Sequence, residues 1–93
     1  MAAEDEKLSQ LASYQAAHLL LLQGETEQVE VMAAGIQGES LYAELALIMQ
    51  AEIRDYIYQD VSVAIDIYLN FLERFPLSIY YDDIRMRLRE LAS

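Results

Sequence analysis

His18 is the single histidine of this 93-residue chain, and an imidazole that titrates near neutrality could act as a general base or a metal ligand. A base needs a nucleophile and an orienting carboxylate beside it. A metal needs further ligands at fixed spacing. Gln15-Ala16-Ala17 before His18 and Leu19 to Leu22 after it supply neither, and no His-Glu-x-x-His pattern surrounds it. His18 therefore reads as a partly buried residue of a helix face. Glu25, Glu27 and Glu30, and the pair Asp82-Asp83, could gather a cation. Their spacing matches neither an EF-hand loop nor the Glu-x-x-His of a di-iron helix, so they read as solvated acidic faces. The chain has no cysteine, which removes thiolate chemistry, disulfides and cysteine metal sites. No glycine-rich phosphate loop, nucleophile elbow or cofactor fingerprint is present. The expectation is a protein that is not an enzyme and takes no cofactor and no metal.

The seven tyrosines carry more information. Tyr42, Tyr68 and Tyr80 fall at packing positions. Tyr14, Tyr56, Tyr58 and Tyr81 cannot all be buried with their hydroxyls paired in so small a core. Exposed aromatics are what binding surfaces are enriched in.

Charge narrows the partner. Sixteen carboxylates face five arginines and one lysine, Lys7, for a net charge of −10. A phosphate backbone or an anionic membrane surface would be repelled, so neither nucleic acid nor membrane is expected. A lysine-poor acidic surface suits very concentrated salt, where screening removes self-repulsion; an ordinary acidic domain is the other reading. The start, MAAEDEK, is acidic where a secretory leader would be basic. The most apolar early run, Ala16 to Leu22, is about a third of a membrane span. A cytoplasmic location is expected for the chain as it stands, and a periplasmic one if it belongs to a longer chain.

The elements that position these residues are helices. With 55% hydrophobic residues, three glycines and one proline, the chain is too apolar for disorder and has no alternating strand pattern. One domain is expected. Helix 1 spans about Asp5 to Leu22, with Glu4, Asp5 and Glu6 at its positive end and Gly24 as terminator; Leu8, Leu11, Ala12, Leu19 and Leu22 repeat at helical spacing while Gln10, Ser13 and Gln15 stay polar. Helix 2 spans Glu25 to Ile36 and buries Val29, Met32, Ala33 and Ile36. Ser40 caps helix 3, Leu41 to about Tyr58, which is apolar on most sides and leaves Glu44, Gln50, Glu52, Arg54 and Asp55 for solvent. Asp60 caps helix 4, where Ala64, Tyr68, Phe71 and Phe75 form one row and Ile65, Leu69 and Leu72 a second, so that the helix needs cover from two directions. Pro76 stops it. Ser78 caps helix 5, Ile79 to Leu91, with Ile84, Leu88 and Leu91 buried and with surface pairs Asp82–Arg85 and Asp83–Arg87.

Ala64, Tyr68, Phe71 and Phe75-Pro76, with Arg85, Leu88, Arg89 and Leu91 behind them, resemble the last repeat and closing helix of bacterial tetratricopeptide repeat (TPR) proteins. The likeness covers about residues 45 to 91. Tyr14-Gln15-Ala16 and Met49-Gln50-Ala51 lie thirty-five residues apart, close to that family's period. The first copy departs from the pattern, with Val29 in place of the small residue, Ala33 in place of the aromatic and no proline near Leu41; in the second copy Glu52 replaces a small residue. The resemblance implies an all-α fold of two antiparallel hairpins, 5–36 (degenerate) and 40–75, plus a capping helix at 78–91, in a right-handed superhelical array. It also implies a concave groove lined by the first helix of each pair: Leu11, Tyr14, His18 and Leu21 from helix 1, and Met49, Ile53 and Tyr56 from helix 3. Core packing is the competing role for each of these. The implied function is a protein-interaction scaffold that holds a peptide or partner helix. The alternative is an end-cap or self-associating domain of a longer repeat protein.

Overall fold

The computed structural model describes residues 2–93, with side chains from residue 5 onward. Every regular element among them is helical: α1 (Ala2–Leu22), α2 (Thr26–Ala34), α3 (Leu41–Glu52), α4 (Val61–Arg74) and α5 (Tyr81–Ala92), with a π-helical turn, Ile53–Ile57, continuing α3. The class is all-α, as expected. The chain divides into two compact units, a first that ends at Ala46 and a second, Leu47–Ser93. The division falls inside α3.

In the first unit, α1 starts ahead of the expected Asp5, and the Glu4 side chain lies outside the described residues. It closes at Gly24, whose φ of +81° only a glycine adopts freely. The Gly24 N–H donates to the Leu21 carbonyl at 3.0 Å and the Glu25 N–H to that of Leu20 at 2.9 Å. That pair satisfies two orphan carbonyls and turns the chain back into α2. Ala17, Val29 and Ala33 are all fully buried where α1 and α2 pack. Two alanines at the contact let the helices approach closely. The Gln10 amide donates to the Gln37 carbonyl at 2.7 Å and accepts from the Ser40 hydroxyl at 2.5 Å. The Ser40 oxygen in turn accepts from the Ala43 N–H at 3.2 Å, the expected cap of α3. One polar side chain of α1 thus bonds the connection between α2 and α3 at two points.

In the second unit, Asp60 caps α4 by accepting from the Val63 N–H at 3.4 Å. Ala64, Tyr68, Phe71 and Phe75 are all buried, as their spacing predicts, with the two phenylalanine rings 5.3 Å apart. The second row of α4 is not covered in the same way: Leu69 is 45% exposed. Ile65 and Leu72 of that row are half-buried, and two elements, the π turn and α5, pack on the helix. Helix α5 begins at Tyr81 rather than Ile79. The Ser78 hydroxyl accepts from the Tyr80 N–H at 3.1 Å, which makes a local turn instead of a helix cap. Ile84 is buried and Leu88 and Leu91 are half-buried, so α5 is the one-sided helix expected. Arg85 reaches Asp82 at 3.7 Å. The expected Asp83–Arg87 pair gives way to Asp55 and Glu90, which take the Arg87 guanidinium.

Asp55 lies in the π turn. The Tyr58 N–H donates to the Ile53 carbonyl at 3.0 Å and the Asp60 N–H to that of Arg54 at 2.8 Å, with Gln59 held at φ +55°. Five-residue bonding widens the helix, so side chains advance less around the axis per residue. Asp55 stands four residues past Ala51 and eight past Leu47, both buried, and at 6% exposure it continues their side of the helix into the turn.

Candidate interaction surface

A helix that is apolar on two sides asks for cover on both. Helix α1 receives it on one. Its inner side carries the fully buried Ala17 and the half-buried Gln10 and Tyr14, whose ring lies 6.3 Å from that of Tyr42. On the outer side, Leu8, Ala12, Gln15, Leu19 and Leu22 follow steps of four, three, four and three residues, the spacing of a coiled-coil seam. Leu8, Leu19 and Leu22 are 64%, 59% and 73% exposed. The apolar positions expected to pack α1 are therefore mostly its outward ones, and only the half-buried Leu11 leans toward the fold. The packing face is built instead from Gln10, Tyr14 and Ala17, because a small residue and a hydrogen-bonding one permit the closer approach.

The residues expected to line a groove separate accordingly. Tyr14 and His18 come together with Gln15 and Leu19 around a shallow depression midway along α1, where His18 is exposed and not partly buried as expected. Leu11 and Leu21 are half-buried on the same flank of the helix. Met49 and Ile53 are 7% and 2% exposed, so they belong to the core and present no binding face; the groove as expected is corrected at both positions. Tyr56 stays 58% exposed, with the Arg87 guanidinium 4.9 Å from its ring centroid.

The second unit holds a polar cluster that the sequence reading left unassembled. Asp55 accepts from Arg87 Nε and Nη2, both at 2.7 Å, and from the Tyr68 hydroxyl at 2.8 Å. The Arg87 fork, reinforced by Tyr68, holds the Asp55 carboxyl below the usual carboxylate range despite its burial. Burial, and then the bond to Asp55, push the Tyr68 phenol well above its ordinary value. With three donors on one carboxylate, the cluster ties the π turn, α4 and α5 together and leaves Asp55 little capacity to move protons. A signal for it existed: a tyrosine in the middle of a buried row needs a partner for its hydroxyl. Arg87 also donates to Glu90 at 3.0 Å.

Among the described residues, no three histidine, aspartate or glutamate side chains gather as metal ligands, and no helix is long and apolar enough to cross a membrane. The arrangement offers an apolar ridge and a structural clamp. Compared with known protein families, with curated proteins and with solved structures, the chain matches none.

Proposed function

We propose that this chain is a non-enzymatic interaction module that seats a helix of another protein on the outer stripe of α1. The observation that carries the reading is the row Leu8, Leu19 and Leu22, each more than half exposed, on a helix whose other side is already packed. Leaving that row in water forgoes burial worth about 25 cal/mol per Å² of apolar surface, which a helix docked along it would recover. A 4–3 spacing selects a helical occupant, whose side chains enter the gaps between the leucines. The tetratricopeptide-like row Ala64, Tyr68, Phe71 and Phe75-Pro76 agrees with a scaffold role. The seat is the α1 stripe with Tyr14 and His18 beside it, in place of a groove floored by Met49 and Ile53. Docking of the same stripe onto a second copy of the chain is the rival reading.

A photo-crosslinking amino acid at position 19 tests the proposal in cells, with the same group at Met86, which is equally exposed on α5, as reference. A discrete adduct from position 19 alone, lost on Leu8→Ser/Leu22→Ser, is expected. The same adducts from both positions would remove the stripe as a specific surface.

A further inference from the structure

The charge around the stripe is as one-sided as its hydrophobicity. The first unit holds Glu4, Asp5, Glu6, Glu25, Glu27, Glu30, Glu39 and Glu44 against a single cation, Lys7, while all five arginines lie in the second. Asp5 is exposed at the N-terminal end of the stripe and Glu25 just past the turn that closes its C-terminal end, while Glu6 lies beside Gln10 and Glu27 beside Leu20, on other sides of α1. Leu8 to Leu22 covers fifteen residues, about 21 Å of helix, or four turns of a partner. Carboxylates at both ends of an apolar ridge favour cations at both ends of whatever lies along it. A second copy would bring the same acidic excess with it, and like charge opposes that pairing.

Resting on the reading of α1 as a docking face, we infer that its occupant is a cationic amphipathic helix of about four turns, with aliphatic residues along its seam and lysine or arginine flanking them. Leucine-on-leucine contact supplies the burial. The flanking charges select the partner and accelerate the encounter, so both affinity and association rate fall as salt rises. Gln15, the one polar residue in the row, sets the register, as a buried polar side chain does in a coiled-coil seam.

The test uses the full chain and two designed helical peptides of eighteen residues, alike in their leucine seam and flanked by lysine in one and glutamate in the other. Fluorescence anisotropy measures both at 0.15 and 0.5 M salt. The lysine peptide is expected to bind at least about tenfold tighter than the glutamate peptide, and to weaken at the higher salt. Leu8→Ser/Leu19→Ser/Leu22→Ser should cost it about tenfold or more, as loss of interface anchors does, while Leu69→Ser in the second unit leaves it unchanged. Equal affinity for the two peptides would overturn the cationic assignment. Binding that survives the triple variant would show general attraction to an acidic chain and overturn it equally. A dimer by light scattering that the triple variant dissolves would assign the stripe to a second copy, sinking this inference while keeping α1 as an interaction face. A monomer that binds neither peptide but still crosslinks from position 19 would do the same. Absence of binding and of crosslinking together would remove the docking face itself.

Discussion

At the scale of single residues, Asp55 is the position on which the second unit depends most. A buried carboxylate is tolerated only when its charge and lone pairs are answered, and Arg87 and Tyr68 answer them with three bonds of 2.7–2.8 Å. Asp55→Ala should cost about 3 kcal/mol, the low end for a broken buried pair, because Arg87 keeps Glu90 and can reach water. Tyr68→Phe removes one donor of three and should cost about 1–2 kcal/mol. Urea melts at pH 7 read both, and equal losses would mean that the arginine fork contributes no more than the phenol. The pH dependence has a definite sign. The folded Asp55 carboxyl titrates below its ordinary value, so its contribution is complete above the unfolded value of about 3.9 and is lost as pH falls through the folded one. The stability gap between the native chain and Asp55→Asn should therefore be flat from pH 7 to about 5 and shrink below about 4. A gap that widened on acidification would contradict the clamp.

At the scale of elements, the caps of α3 and α4 and the buried row of α4 are legible in the sequence, while the start of α5, the packing side of α1 and the burial of a charge are not. Ser40 and Asp60 cap as their types and places foretold, and Ala64, Tyr68, Phe71 and Phe75 are the row that their spacing implied. Two things hid from that reading. Asp55 follows Leu47 and Ala51 on the buried side of the helix, but a charged residue type reads as solvent-facing until Arg87 and Tyr68 supply its partners. In α1 the apolar pattern marks two sides, and hydrophobicity alone selects the leucines as the packing side when the fold uses Gln10, Tyr14 and Ala17. The repeat register draws Met49 and Ile53 into a groove, yet of the positions it relates only His18 and Tyr56 are exposed. The turn chemistry gives a test with opposite signs. Gly24→Ala forces a side chain into positive φ and should cost about 1–2 kcal/mol. Gly35, at φ −76° and with only backbone atoms at 3.4 Å and beyond around an added Cβ, should gain about 0.4–1 kcal/mol on becoming alanine. Thermal melts in which both substitutions move the same way would refute the assignment of these two helix ends.

At the scale of the whole molecule, the net charge of −10 opposes every compact arrangement of the chain. If the acidic, lysine-poor surface is a salt adaptation, the melting temperature should climb between about 0.05 and 2 M KCl as the Debye length contracts toward about 3 Å. A flat profile would leave the composition as ordinary acidity. The same charge frames the central claim, that α1 is apolar on two sides and the fold uses only one. The most direct measurement of that claim needs no partner: the urea-unfolding free energy of Leu8→Ser/Leu19→Ser/Leu22→Ser against the native chain. An outward stripe predicts a difference within about 0.5 kcal/mol per site, as for surface substitutions generally. A loss of about 2–5 kcal/mol at each leucine, the signature of core truncation, would show that the stripe is part of the fold and contradict the account.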